Sequence, residues 1–172
     1  MGLVVKKFGL IAFLIGIVGY GAAMYIGHFQ GYSVQEILSY AVMGMIAALV
    51  YFGIAYKRDT VNAGQISFRQ ALATGALISL CGGLGIALAA FSYPVFINAN
   101  FFEDYQIYQL AIAKENGDEQ RVSQISQAAQ LNENRSLLSL SFVSSFMMFL
   151  MSFTISMFST LVSAMLLKNK HL

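Results

Sequence analysis

Tryptophan is absent from the 172 residues, and proline and cysteine occur once each, as Pro94 and Cys81. Charge is scarce too. Only 10% of the residues are Asp, Glu, Lys or Arg, against about 25% in a soluble domain. Each shortage excludes something. So little charge leaves a water-facing surface uncovered, which argues against a soluble fold. One cysteine permits no internal disulfide and no thiolate cluster. Cys81 lies in an apolar run and reads as a small packing residue. His28 and His171 stand near opposite ends of the chain and the acids are scattered, so no nucleophile, base and orienting group are seen to converge. We therefore expect no enzyme, no metal and no cofactor. The formal net charge of +2 gives no strong attraction for nucleic acid.

What is present is apolar: 58% of the residues, with a mean hydropathy of +0.66. Four runs are long enough to cross a bilayer, which takes about 20 apolar residues. They are 8–26, 37–56, 71–93 and 139–167, and none contains Asp, Glu, Lys, Arg or His. Lipid offers backbone amides no partner, so each run is expected to be a helix. The lack of ionisable residues in the runs argues against a proton-driven pump or exchanger. Lys6 and Lys7 before the first run resemble a signal peptide. Its 19 residues exceed the usual apolar region of about 7–15, and "GAAM" (21–24) is a weak cleavage site, so we read it as a retained helix.

Lys and Arg set the threading. With both termini cytoplasmic, the inner segments hold Lys6, Lys7, Lys57, Arg58, Arg69, Lys168 and Lys170 against Asp59 alone. The outer segments hold Lys114, Arg121 and Arg135 against Glu36, Glu103, Asp104, Glu115, Asp118, Glu119 and Glu133. The expected location is the bacterial inner membrane. Lys57, Arg58 and Arg69 then read as contacts for lipid headgroups or phosphate. Between the second and third runs, "NAG" (62–64) is a turn composition. "SFRQ" (67–70) fits a capping box in which Ser67 accepts from the Gln70 amide and the Gln70 side chain reaches back to the Ser67 amide. Ile66 and Phe68 are expected at headgroup level.

The stretch "YFGIAYKRD…AGQISFRQALATGALIS", Tyr51 to Ser79, resembles the hallmark of a family of small membrane proteins. The family is domain of unknown function 4199, found mainly in Bacteroidota. The resemblance rests on Lys57, Arg58 and Asp59 closing the second run, and on Gly64, Ile66, Ser67, Phe68 and Ala71 opening the third. It extends in layout over nearly the whole chain, including "FFEDY" (101–105). The polar "QISQAAQLNENR" (124–135) is less charged than the family pattern. The resemblance implies an integral membrane protein and carries over no catalytic or ligand-binding residue.

The segment 94–136 is the largest piece outside the runs. Pro94 marks the end or a kink of the third span. Phe101, Tyr105, Tyr108 and Ile112 fall on one face of a helix. "ENGD" (115–118) reads as a break in which Gly117 takes positive φ and Asp118 caps a second helix, whose weaker stripe is Val122, Ile125 and Ala129. The expected fold is thus all-α: a single membrane domain of four transmembrane helices, with an extracytoplasmic amphipathic helical hairpin between the third and fourth. The aromatic face packs on lipid or on the spans, or docks a partner.

Small residues recur every fourth position: Gly19, Ala23 and Gly27; Gly75, Ser79 and Gly83, then Gly85 and Ala89; and the serine pairs 141/145, 152/156 and 159/163. Such faces let helix backbones approach closely; a four-helix bundle can use all of them internally, and a homo-oligomer or a partner the surplus. "CGGLG" (81–85) reads as a close-packed point. Met147, Met148, Met151, Met157 and Met165 read as gap fillers. The leading functional expectation is a non-enzymatic accessory or scaffold protein, binding a membrane-protein partner or another copy through the small-residue faces and the hairpin. The alternative is an oligomeric translocase or pore for a lipid-linked or anionic substrate, with Lys57, Arg58 and Arg69 on its phosphate. Membrane lipids are partners either way.

Overall fold

The computed structural model of the protein describes residues 2–132 and 135–168. Glu133, Lys170 and His171, named above, lie outside the described residues. Six helices follow one another: α1 (Gly2–Gln30), α2 (Tyr32–Val61), α3 (Phe68–Phe96), α4 (Phe101–Glu115), α5 (Glu119–Asn132) and α6 (Leu137–Leu167). There is no strand among the described residues. Helices α1, α2, α3 and α6 are long and apolar enough to cross a membrane. They contain the four apolar runs and extend past them, because the flanking polar residues continue the same backbone ladder.

The spans run up and down. A single residue, Gly31, joins α1 to α2 at φ 102°, a conformation that only glycine takes at no steric cost. Phe8 near the start of α1 meets Tyr56 near the end of α2, with rings 5.4 Å apart. The bundle therefore has two ends. The loop end carries the start of α1, the α2–α3 connection and the close of α6, where Lys168 lies over the Phe68 ring. The hairpin end carries Gly31, α4 and α5. Among the described residues, Lys6, Lys7, Lys57, Arg58, Arg69 and Lys168 sit at the loop end. Glu36 and the charged residues of the hairpin sit at the other.

Small residues bring the helices together. Helix α1 makes a π turn over Ile15–Gly19. A Cβ on Gly16 would stand 2.6 Å from the Gly82 carbonyl oxygen, and one on Gly85 would collide with the Phe13 carbonyl. The "CGGLG" stretch is thus a backbone-to-backbone crossing of α1 and α3. On the other face of α3, Gly75 accommodates Thr160 of α6, Gly83 accommodates Phe149, and the Ser79 and Thr160 hydroxyls lie 3.3 Å apart. Ser159 donates to the Ala47 carbonyl of α2 at 2.7 Å. Ile46, Val50, Ile54, Ile78 and Ile86 are fully buried between these crossings. The small-residue faces expected to bind a partner are in large part spent inside the bundle.

Several local expectations hold. Gly117 sits at φ 67°, and the Arg121 amide donates to Asp118 Oδ1 at 2.9 Å. Pro94 lies near the end of α3, which stops at Phe96. The cap is half as expected. The Gln70 amide bonds Ser67 Oγ at 3.3 Å, but the Gln70 side chain turns away to accept from Asn62 Nδ2. Ile66 is a correction: it is fully buried in the core, tucked under the turn formed by Ala63 and Gly64 at positive φ. Phe68 is exposed as expected.

Candidate functional site

The three loop-end cations have different partners. Lys57 is only 4% exposed, so it is no surface headgroup contact. It opens a π turn, Lys57–Val61, and its Nζ donates to Thr74 Oγ1 at 2.6 Å. The Thr74 hydroxyl in turn donates a hydrogen bond to the Gln70 carbonyl at 2.7 Å. Arg58 is half-buried and spends its guanidinium on Asp59 at 2.6 and 3.3 Å. Arg69 is exposed on the first turn of α3. The ammonium and the guanidinium are thus held by different groups, Thr74 and Asp59.

The aromatic face of α4 also turns inward. Phe101 is 7% exposed and packs edge-on against Tyr93 of α3. Tyr32, at the start of α2, meets Phe101, Tyr105 and Tyr108, with ring centroids 5.3 to 6.2 Å apart. Ile112 is half-buried. The expected partner-docking face is therefore packed on the spans. Aromatic surface is strongly driven from water, and edge-to-face contacts add to its burial.

Under α4 lies a chamber of about 610 Å³. Its wall toward the middle of the bundle is apolar, with Met24, Met43, Met148 and Met151 from α1, α2 and α6. Its polar end lies beneath the hairpin. There Glu36 Oε1 accepts from the Tyr105 hydroxyl at 2.8 Å and from Gln109 Nε2 at 3.0 Å. Arg121 of α5 donates to Gln109 Oε1 at 2.9 Å. A chain of four side chains thus ties α2, α4 and α5 together, with an acid inside and a cation at the rim. Burial first, and then the Glu36 carboxylate, hold the Tyr105 phenol above its ordinary range.

Gln35, next to Glu36, and Ser39, one turn further along α2, continue this polar lining. Gln35 is 6% exposed, and its Oε1 has no hydrogen-bond partner. Gly27 places it, since a Cβ there would collide with the Gln35 side chain. A buried amide oxygen left unpaired costs about 1–3 kcal/mol, so the position is not neutral for stability. Tyr40 and Met151 also line the chamber and are 56% and 37% exposed. The chamber therefore reaches the apolar flank of the bundle between α2 and α6. Beside it, Gln124, Ile125, Ala129 and the first turn of α6 line a second, more open cleft of about 830 Å³, which shares Tyr105, Gln109 and Arg121.

Of the sequence candidates only Phe101 and Tyr105 line this chamber. Sequence reading missed Gln35, Glu36, Gln109 and Arg121. One signal for them exists: "QE" at 35–36 directly precedes an uncharged run, and polar residues at the edge of a span mark sites. No curated protein and no solved structure matches the chain. A family model described as protein of unknown function (DUF4199) matches residues 7–169. That match spans the loop-end motif, all four long helices and the hairpin, and the chain belongs to the DUF4199 family.

Proposed function

We propose that the protein is a non-enzymatic, multi-pass protein of the bacterial inner membrane that holds a membrane amphiphile in the chamber beneath its hairpin. The excess of Lys and Arg at the loop end supports cytoplasmic termini and an extracytoplasmic hairpin. The single observation that carries the binding reading is the chamber itself. It joins a hydrogen-bonding end at Gln35, Glu36 and Arg121 to a methionine wall, and it opens onto the lipid-facing flank. Pockets of this size with a few placed polar groups are the usual form of a ligand site.

Both sequence-based readings are narrowed. An accessory role fits a protein that holds a lipid, for a partner or for another copy. The surfaces first assigned to that partner are largely packed inside the bundle. A translocase needs a path through the bundle. Past Met43 the centre is filled by Ile46, Gly82 and Ile86, which supports holding over conduction.

The test is native mass spectrometry of the protein extracted gently with its lipids. One chain carrying one amphiphile is expected. Ser144→Phe, which fills the chamber, should release it while the circular-dichroism spectrum stays helical. Retention of the same lipid by the filled variant would sink the reading.

A further inference from the structure

We infer that the ligand of the chamber is a zwitterion bearing a primary ammonium, with its anionic group toward the rim. This rests on the amphiphile-binding reading and names the headgroup. The argument is an inventory of donors and acceptors. At the inner polar end, beside the Gln35 amide N–H groups and the Ser39, Tyr20 and Tyr40 hydroxyls, two acceptors stand unused and one of them carries a negative charge. Gln35 Oε1 has no partner. Glu36 receives both its bonds on Oε1, and its Oε2 has none among the described residues. Glu36 also has no cation within 4.0 Å among the described residues. The two donors that reach Glu36 are committed, Tyr105 to Glu36 and Gln109 to Glu36 and the Tyr105 oxygen, and neither brings a positive charge.

A primary ammonium carries three N–H donors and neutralises a half-buried carboxylate. A quaternary ammonium brings the charge without the donors, so Gln35 stays unpaired. A purely anionic headgroup sets negative charge against Glu36 and the Gln35 carbonyl. The rim has the opposite character. Arg121 spends one N–H on Gln109 Oε1 and is exposed, which leaves the rest of its planar fork for a phosphate or carboxylate. Glu36 and Arg121 are separated by the Gln109 amide that bonds both. A compact headgroup with its cation and anion a few atoms apart spans that gap. The tail then lies along Met148 and Met151, whose flexible thioethers adapt to a chain.

The experiment uses the full-length protein in a non-ionic detergent, read by native mass spectrometry. Phosphatidylethanolamine, phosphatidylcholine and phosphatidylglycerol of one acyl composition compete at equal concentration. The phosphatidylethanolamine adduct should exceed each of the others about tenfold, a preference worth about 1.4 kcal/mol. Glu36→Gln and Arg121→Gln should each erase most of that preference. Arg121 is exposed, so its variant tests the site even where Glu36→Gln fails to fold. Water-soluble glycerophosphoethanolamine should bind far more weakly. Equal binding of all three lipids overturns the ammonium assignment and leaves the amphiphile reading standing. Binding of none overturns both. Equal binding of glycerophosphoethanolamine and its lipid makes the ligand a soluble headgroup and overturns the amphiphile. A preference that survives both variants places the headgroup elsewhere.

Discussion

The two ends of the bundle treat polar groups in opposite ways. At the loop end, Lys57 is buried, but its ammonium is received by Thr74, and Thr74 is received by the Gln70 carbonyl. The half of the bundle below the chamber is closed by glycine-mediated crossings and aliphatic residues at zero exposure. At the hairpin end, Gln35 is similarly buried and its Oε1 has no partner. The space beside it is open and lined by methionine. Both ends bury polarity, which is expensive in a low-dielectric setting. The loop end receives its buried ammonium from within the chain, whereas the hairpin end leaves the Gln35 oxygen without a partner, as α6 does the Ser152 and Ser156 hydroxyls. A self-satisfied polar group is architecture. An unsatisfied one beside an open chamber is what the proposed amphiphile would pair.

Three pairs of variants sharpen that contrast, from the largest effect to the smallest. Gly85→Leu should cost about 3 kcal/mol or more, because the side chain must push α1 off α3. Denaturant unfolding in detergent would reveal it. Gly44→Ala, where an added Cβ meets nothing within 4 Å, should be neutral or slightly stabilising. Equal behaviour of the two variants would break the picture of a glycine-closed crossing.

Thr74→Val should cost about 1–3 kcal/mol by stranding the Lys57 ammonium. The double change Lys57→Met with Thr74→Val should recover most of that loss, since a buried charge and its partner exchange well for apolar residues of similar volume. Additive losses in the double-mutant cycle would mean that the two side chains do not depend on each other.

The cap gives the smallest effect. Ser67→Ala should lower stability by about 1 kcal/mol. Gln70→Ala should cost less, because the Gln70 side chain bonds Asn62 and not the helix start. A larger loss for Gln70→Ala, measured by thermal melts of both variants, would restore the full capping box.

Some of this was legible one residue at a time. A run without charge has one backbone solution in lipid, so the four spans could be read directly, as could the "ENGD" break and the Ser67 and Asp118 caps. The α4 stripe was visible as a stripe, but not the direction it faces. Periodicity gives an amphipathic face and says nothing of what covers it. Tyr32 and Tyr93 cover it from two other helices. Lys57 was misread for a related reason. A lysine at the end of a span has a stem long enough to reach lipid headgroups or a neighbouring helix, and Thr74, 17 positions on, decides between them.

The sequence by itself determined the class of the protein, its four spans, the glycines at which they cross and the charge difference between its ends. Each of these depends on local composition or on short-range periodicity. Only the tertiary structure decided which neighbours the small-residue faces meet and that the aromatic face of α4 packs on the spans. It alone assembled Glu36, Tyr105, Gln109 and Arg121 into one network. Those four residues come from three helices, and a contact between residues 69 or 73 positions apart leaves no periodic trace in a single chain. It exists only once packing has brought the helices side by side.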